Sequence, residues 1–305
     1  MTEFGDARGR GSSSYLTLPA DEPEARPRAP LPMVLIVHGG PWGRDIYGYN
    51  GEHQWLANRG YAVLSVNYRA STGFGKNFVH AGAQEHAGKM HDDLIDAVAW
   101  AVREGIARRD QVAIRGISYG GYATLVGLTF TPDVFCCGVS IVGISNLVTL
   151  LENMPPYWAG IHEMMFANYA DVRTEEGRAW LRARSPLYRV DQIRRPLLIG
   201  HGANDVRCKQ QESDQIVAAM RERGLPVTYV VYPEEGHGFM RPESRMSFNA
   251  ITEAFFARHL GGRCEPIGDD LAGSSLQVRE GIDAIAGLGE AVADRAGRGS
   301  ADAPG

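Results

Sequence analysis

Cysteine is scarce in this sequence and follows no functional pattern. The four cysteines, Cys136, Cys137, Cys208 and Cys264, show no C-x-x-C spacing. The sequence therefore lacks the signature of a disulfide framework or of a zinc ribbon. Because successive side chains of a strand point to opposite faces, Cys136 and Cys137 are interpreted as small core residues. This use of cysteine is typical of a reducing compartment, and we expect the chain in the cytoplasm.

Excess basic charge and long apolar runs are also missing. The 31 lysines and arginines are outnumbered by 36 acidic residues, which gives a formal net charge of −5. Without a basic stripe, nucleic acids and anionic membranes are poor partners. Residues 1–10 are charged and glycine-rich, unlike the apolar core of a secretion signal. No stretch approaches the roughly 20 apolar residues of a transmembrane helix, so we expect no membrane partner.

The histidines follow no metal-binding motif. His162-Glu163 is followed by Met-Met-Phe, so the second histidine of H-E-x-x-H is missing. We therefore expect no metal site and no cofactor.

The chain alternates short apolar runs with helical patterns. Predicted strands lie at about 33–38, 61–68, 112–116, 136–142, 196–200 and 227–232, and predicted helices at about 52–59, 89–104, 120–130, 210–223 and 244–260. This alternation predicts an α/β domain with a doubly wound, mostly parallel sheet. Within 90–104, the helical period assigns Leu94, Val98 and Ala101 to the inner face and His91, Asp92 and Asp93 to the outer face.

Two segments depart from this alternation. Residues 144–195 are too long for a simple crossover loop, and their apolar and aromatic content predicts a helical insertion in a main domain spanning residues 1–261. Residues 262–305 shift to Gly, Ala, Ser and charged residues. This composition predicts a partly disordered C-terminal extension, with disorder expected over 296–305.

One pentapeptide carries a chemical signal. Residues Gly116-Ile117-Ser118-Tyr119-Gly120 form G-x-S-x-G between a predicted strand and a predicted helix. A nucleophile elbow needs this strand–turn–helix context, because glycines make room for the sharp turn that lifts the serine hydroxyl above the sheet. Ser118 is therefore the candidate nucleophile.

A nucleophilic serine needs a base and an acid that orients the base. Asp205 follows the predicted strand at 196–200, and His237 follows the strand at 227–232 in a loop with glycine on both sides. The order Ser, Asp, His is the order of the α/β-hydrolase triad. We predict His237 as general base and then acid, with Asp205 as its orienting carboxylate.

Nine histidines compete for the role of the base. His38 and His201 also lie at strand ends, and His201 can be a packed structural histidine. The others are predicted on helix surfaces or in loops: His53, His80, His86, His91, His162 and His259. For Asp205 the alternative role is that of a helix N-cap.

The predicted strand at 33–38 leads into His38-Gly39-Gly40-Pro41. A glycine pair after a strand leaves backbone N–H groups accessible to a developing oxyanion. We predict that Gly40 supplies one donor and that the N–H of Tyr119 supplies the other.

Apolar residues near the elbow and in the insertion predict a substrate pocket. The proposed walls are Tyr122 after the elbow, Val142 at a strand end, and Trp158 and Phe166 in the insertion. The alternative is that the insertion's aromatic side chains pack it onto the main domain.

Several ordered motifs resemble the catalytic domain of the prolyl oligopeptidase family, close to its acylaminoacyl-peptidase and dipeptidyl-peptidase branch. They are His38-Gly39-Gly40-Pro41, Asn67 to Gly75, Gly116 to Tyr122, His201 to Arg207 and Glu235 to Phe239. The resemblance covers roughly Phe4 to Leu260. It implies an α/β-hydrolase fold and acyl transfer to Ser118 followed by hydrolysis.

The chain also departs from the family. We expect it to lack the N-terminal β-propeller, and Ala70 stands where the family carries glycine in Asn-Tyr-Arg-Gly-Ser. In the family pattern, the residue at the position of Arg207 reaches the substrate carbonyl one unit to the acyl side of the scissile bond. A guanidinium offers several fixed donors for that purpose. The alternative is a surface ion pair between Arg207 and Glu212.

These features predict a serine hydrolase acting on an amide or ester of a hydrophobic aminoacyl or acyl group. Its substrate would be a small molecule or a short peptide. One alternative is a biosynthetic acyltransferase or cyclase that uses the same triad, and another is an inactive binding module on a hydrolase scaffold. Surface that a propeller would cover predicts a homo-oligomer.

Overall fold

The computed structural model describes residues 2–5, 11–22 and 26–301. The strands are β1 (Thr2–Gly5), β2 (Gly11–Thr17), β3 (Leu31–Val37), β4 (Ala62–Val66), β5 (Ala107–Ile117), β6 (Cys137–Ile141), β7 (Leu197–Gly202), β8 (Val227–Tyr232) and β9 (Gln277–Glu280). They form one sheet in the order β1-β2-β4-β3-β5-β6-β7-β8-β9. The six central strands, β3 to β8, pair in parallel.

Ten helices accompany the sheet within the described ranges. They are α1 (Gly51–Asn58), α2 (Lys76–His80), α3 (Lys89–Arg103), α4 (Tyr119–Phe130), α5 (Leu147–Glu152), α6 (His162–Asn168), α7 (Glu175–Ala183), α8 (Gln211–Glu222), α9 (Pro242–Leu260) and α10 (Leu288–Ala301). Helices α3, α4 and α8 pack in one hydrophobic cluster, while α1, α9 and α10 pack in another. The central strands are mainly apolar and buried on both faces, as is typical of parallel sheets, apart from exposed residues such as 108–110 near the start of β5.

The predicted α/β-hydrolase architecture is confirmed. Each predicted strand and helix is present, with boundaries that differ by a few residues. The segment 144–195 forms the helical insertion, with α5, α6 and α7 joined by the short 3₁₀ segments Pro156–Ile161 and Pro186–Gln192. The sequence patterns did not predict three strands at the edges of the sheet, β1, β2 and β9.

The C-terminal extension is integrated into the fold. Strand β9 pairs antiparallel with β8, and Leu271, Leu276 and Leu288 are buried against the core. The expected disorder is wrong for residues 296–301, which complete α10, and residues 302–305 lie outside the described residues. Apolar side chains spaced through the extension explain its order, because each packs in the cluster that holds α9.

Helix α3 corrects the predicted orientation of two polar residues. Asp92 is exposed as expected, but His91 and Asp93 are buried. Asp93 is held by Arg69, whose backbone N–H and Nε donate to Oδ2 at 2.9 and 2.8 Å. A second guanidinium nitrogen of Arg69 reaches Oδ1. This buried pair anchors α3 to the loop that follows β4.

In the described parts of the chain, no helix combines the length and apolar character needed to cross a bilayer.

We predict that Asp93→Ala destabilises the fold, because it leaves the buried guanidinium of Arg69 without this carboxylate. Breaking a buried ion pair on one side costs about 3–5 kcal/mol in the free energy of unfolding. The matched control is Asp92→Ala on the exposed face of the same helix, with an expected change of about 0.5 kcal/mol or less. Urea unfolding measures both variants, and equal losses would contradict the structural role of the pair.

Candidate active site

The turn between β5 and α4 holds Ser118 in a strained conformation, with φ 61° and ψ −117°. A non-glycine residue in such a region costs on the order of 1–3 kcal/mol. The turn is possible because its neighbours are glycines. A Cβ on Gly116 would lie 2.4 Å from the carbonyl carbon of Gly120, and a Cβ on Gly120 would lie 2.0 Å from the oxygen of Val37.

The structure brings together the three residues of the predicted triad. His237 Nε2 lies 2.9 Å from Ser118 Oγ, and His237 Nδ1 lies 2.7 Å from Asp205 Oδ2. Ser118 comes from the end of β5, Asp205 follows β7 and His237 follows β8. In a parallel sheet these carboxyl ends meet at the same edge, so the topology itself assembles the chain of hydrogen bonds.

Asp205 is fixed as well as buried, at 5% exposure. Its Oδ1 accepts from the backbone N–H groups of Arg207 and Cys208 at 2.8 and 3.0 Å. These bonds form an Asx-type turn that leaves Oδ2 for His237. The orienting carboxylate therefore has one oxygen for its own loop and one for the base.

His201 lies beside the triad but is bound elsewhere. Its Nε2 donates to the carbonyl of Cys208 at 2.8 Å, and its Nδ1 faces Ser213 Oγ at 2.7 Å. Burial lowers the pKa of His201, which keeps the ring neutral although Asp205 Oδ2 is 3.8 Å away. His201 is the packed structural histidine that the sequence allowed.

Three other histidines are buried, contrary to the predicted helix-surface or loop positions: His53, His86 and His91. His53 faces the hydroxyl of Thr17 at 3.0 Å, and His91 faces that of Thr131 at 2.9 Å. The partner hydroxyls come from distant parts of the chain, so the local helical pattern could not show that these positions face inward.

The loop after β3 lies against the serine. Gly39 and Gly40 line the cleft beside Ser118, and Gly40 has a φ of 133° that favours glycine. A Cβ there would lie 2.4 Å from the backbone nitrogen of Trp42. Tyr119 is the first residue of α4, where N–H groups have no acceptor inside the helix. Both predicted oxyanion donors are thus next to the nucleophile.

A second loop, Asn67 to Gly75, supports the oxyanion loop. Asn67 Oδ1 accepts from the N–H of Asp45 at 2.8 Å, and its Nδ2 donates to the Asp45 carbonyl at 3.1 Å. The backbone N–H of Thr72 donates to the carbonyl of Gly43 at 2.9 Å. In the sequence this motif is only part of the family resemblance, whereas in the structure its hydrogen bonds fix the segment that follows the oxyanion loop.

His38 also supports the oxyanion loop. Its Nδ1 and Nε2 contact the carbonyl of Gly39 and the hydroxyl of Ser71, at 2.8 and 2.9 Å. Burial lowers its pKa to about 4, so it is a neutral structural group near pH 7.

A cleft of about 460 Å³ opens at Ser118. Apolar side chains dominate its walls, which include Trp42, Ile144, Leu150, Trp158, Ile161, Met164, Met165 and Tyr169. Of the predicted pocket residues, Trp158 and Arg207 lie in the wall. The sequence pattern did not identify which other insertion residues reach the cleft.

Three predicted pocket residues lie outside that wall. Tyr122 is buried behind it, with its hydroxyl donating to the carbonyl of Arg184 at 2.8 Å. Val142 is fully buried in the cluster around α9. Phe166 lies under the guanidinium of Arg173, 4.5 Å from its ring centre. A position near the elbow or in the insertion was therefore not enough to predict that a side chain faces the cleft.

Arg207 is exposed at the cleft, and its alternative partner is occupied. The carboxylate of Glu212 is buried and accepts from the backbone N–H groups of Ser145 and Asn146 at 3.0 and 2.9 Å. The alternative of a surface ion pair between Arg207 and Glu212 is therefore wrong.

The model of the prolyl oligopeptidase family matches residues 47–263. The chain belongs to this family. A curated family relative, dipeptidyl aminopeptidase BIII of Pseudoxanthomonas mexicana, is 63% identical over 282 residues, covering 92% of this chain and 41% of that protein. Dipeptidyl peptidase family member 6 of Caenorhabditis elegans is 49% identical over 262 residues, covering 85% of this chain and 35% of that protein.

Solved structures agree with the family assignment. A puromycin-hydrolyzing peptidase of Mycobacterium tuberculosis matches with a TM-score of 0.79 and 30% identity, over 87% of this chain and 39% of that one. The acylaminoacyl peptidase of Pyrococcus horikoshii matches with a TM-score of 0.73 and 27% identity, over 84% and 41% of the two chains. The chain thus spans about two fifths of these prolyl oligopeptidase relatives.

We predict that Ser118→Ala, Asp205→Ala and His237→Ala each reduce turnover by at least about 10³-fold without unfolding the protein. The double variants should lose little more, because triad residues act as a unit. Steady-state rates and circular dichroism measure the two effects. His80→Ala, an exposed histidine away from the cleft, is the control and should keep the wild-type rate. Near wild-type turnover in Asp205→Ala would refute the assignment of the acid.

Proposed function

We propose that this chain carries the catalytic site of a serine peptidase that acts through an acyl-enzyme on Ser118. Its substrates would be amides or esters of hydrophobic aminoacyl or acyl groups. The observation that supports this most directly is the hydrogen-bonded series Ser118–His237–Asp205, which ends in an apolar cleft. The names of the family relatives, dipeptidyl aminopeptidase and acylamino-acid-releasing enzyme, support peptide substrates.

The mechanism follows from the positions of these groups. Ser118 Oγ attacks the substrate carbonyl carbon while His237 Nε2 takes its proton, and Asp205 stabilises the imidazolium that forms. The N–H groups of Gly40 and Tyr119 bind the resulting oxyanion, a type of contact worth about 3 kcal/mol in the transition state. His237 then protonates the leaving amine or alkoxide. Water attacks the acyl-enzyme by the same steps and releases Ser118.

The experiment that tests the proposal is labelling with a fluorophosphonate followed by product analysis. Labelling of the wild type that disappears in Ser118→Ala supports an activated serine. Release of a free acid in water, without transfer to an added amine, supports hydrolysis. An unlabelled wild type would leave the chain without the proposed activity.

The cleft favours uncharged substrate groups. Its buried walls, among them Ile144, Leu150 and Met165, would gain from covering an apolar side chain. Arg207 also lines the cleft but is an exposed residue of its wall, and burying an unpaired charge against the apolar residues is costly.

We predict that phenylalanyl and leucyl anilides are cleaved faster than lysyl and glutamyl ones. Burial of an apolar side chain contributes about 2 kcal/mol, which is roughly 30-fold in kcat/KM. Trp158→Ala should narrow this difference, since Trp158 forms part of the wall. The control is Tyr157→Ala, its exposed neighbour, which should leave the difference unchanged. Faster cleavage of the charged substrates would overturn the pocket assignment.

Arg207 is proposed to bind a substrate carbonyl one unit from the scissile bond. Its position in the cleft wall, two residues after Asp205, supports this role. The Asx-type turn that fixes Asp205 also fixes the backbone of Arg207 at 2.8 Å from that carboxylate.

We predict that Arg207→Ala impairs cleavage of acylaminoacyl or dipeptidyl anilides at least about 10-fold more than cleavage of a short p-nitrophenyl ester. Only the longer substrates present the extra carbonyl, and a hydrogen bond to a charged donor contributes about 1.5–3 kcal/mol. Comparing kcat/KM for the two classes measures the effect. Lys209→Ala, which removes an exposed cation bonded to Asn153, is the matched control. Equal losses on both substrates would argue against carbonyl binding.

We also propose a cytoplasmic homo-oligomer. The free thiols of Cys136, Cys137, Cys208 and Cys264 support a reducing compartment. Ile46, Tyr47 and Tyr49 are 69%, 80% and 88% exposed in one short segment, and such apolar surface supports an interface.

A further inference from the structure

The loop that carries the catalytic histidine has little rigidity of its own. It runs from Pro233 to Arg241, between the end of β8 and the start of α9. His237 lies between Gly236 and Gly238, and Gly238 has a φ of 120° that favours glycine. Because glycines allow many backbone conformations, the position of the imidazole must be set by contacts elsewhere in the loop.

Glu235 supplies such contacts. It is only 3% exposed, and its carboxylate joins the two ends of the loop. Oε2 accepts from the N–H of Met240 and Oε1 accepts from the N–H of Arg241, both at 2.9 Å. The segment 235–241 is thereby closed into a ring around His237, with both carboxylate oxygens occupied.

The charge of Glu235 is well placed for this closure. Arg241 is the N-cap residue of α9, so the carboxylate lies at the positive end of a 19-residue helix. Charge-assisted bonds to backbone N–H groups are roughly twice as strong as neutral ones. An uncharged acceptor at this position would hold the loop less tightly.

The same residue also reaches the acid. The backbone carbonyl of Glu235 accepts from the N–H of Asn204 at 2.9 Å, and Asn204 precedes Asp205. A Cβ on Gly202 would lie 2.5 Å from that carbonyl oxygen, so the two loops are in close contact. Glu235 therefore fixes the base loop relative to the acid loop.

Phe239 provides a second anchor on the apolar side. Its ring centre lies 4.6 Å from that of Tyr232 and 5.0 Å from that of Phe248. This contact holds the far side of the loop against the core, while the carboxylate of Glu235 fixes how the loop closes.

We propose that Glu235 is the positioning residue of the general base. Through the two N–H groups it binds, it holds His237 within hydrogen-bond distance of both Ser118 and Asp205. The inference rests on the proposed function, since it assigns His237 the role of base.

The adjacent Glu234 is a matched control. Its carboxylate pairs at the surface with the guanidinium of Arg241 at 3.0 Å and with the hydroxyl of Ser275. It has the same charge and a neighbouring backbone position, but the N–H groups of Met240 and Arg241 donate to Glu235 and not to it. Removing its charge therefore tests the surface electrostatics without opening the ring.

The test compares Glu235→Ala, Glu235→Gln and Glu234→Gln in the full chain. The first readout is the rate at which a fluorophosphonate labels Ser118, which reports activation of the serine and needs no bound peptide. The others are kcat and KM for a phenylalanyl anilide, and the melting temperature.

Glu235→Ala should slow both labelling and kcat on the order of 100-fold, since small misplacements of a catalytic group cost about this much. KM should change less than about 3-fold, because the cleft walls remain. Glu235→Gln should lie between Glu235→Ala and wild type, since its amide oxygen can still accept one N–H. Glu234→Gln should match the wild type.

Three results would overturn the positioning role of Glu235. If folded Glu235→Gln is labelled at the wild-type rate, Glu235 does not position the base, whether or not Glu235→Ala folds. A lower melting temperature with unchanged kcat and labelling would also overturn the inference and leave a purely structural role. A wild type that is not labelled overturns the proposed function, and this inference with it.

Discussion

Ser118 has a backbone conformation that an unpacked chain would not keep, and the close packing around it makes the site possible. Gly116 and Gly120 approach each other and the end of β3 so closely that no side chain fits. The backbone N–H of Ser118 is held by the carbonyl of Ile141 on the neighbouring strand, at 2.9 Å. Strain of about 1–3 kcal/mol persists only where surrounding structure over-determines it. The large buried sheet provides that surrounding structure.

Close packing also organises the loops at the carboxyl ends of the parallel strands. Of the six parallel strands that end there, four are followed by parts of the candidate site: β3 by the candidate oxyanion loop, β5 by Ser118, β7 by Asp205 and β8 by His237. The loops then bond to one another, as between Asn204 and Glu235 or between Asn67 and Asp45. The distances among Ser118, His237 and Asp205 therefore depend on several loops at once. The site is a network of fixed loops on a rigid sheet.

The difference between local sequence patterns and contacts with distant residues explains what could be predicted from the sequence. Strands of apolar residues, and a serine, an acid and a histidine directly after them, are local patterns, so the fold class and the arrangement of Ser118, Asp205 and His237 follow from them. Side-chain orientation depends on distant partners. Asp93 faces inward because Arg69 lies there, and Val142 packs into the core and away from the cleft. The order of the extension likewise depends on distant partners, since its spaced leucines pack in the cluster that holds α9 and β9 pairs with β8.

The triad and most of the cleft wall lie in different parts of the fold, and one buried side chain connects these parts. The triad lies at the edge of the sheet, while most of the apolar cleft wall belongs to the insertion. Glu212, near the start of α8, joins the two: its buried carboxylate accepts from Ser145 and Asn146, where the insertion begins. Glu212 is buried, and this burial raises the pKa of its carboxyl group. Since α8 follows the acid loop directly, these bonds anchor the entrance of the insertion next to the loop that carries Asp205.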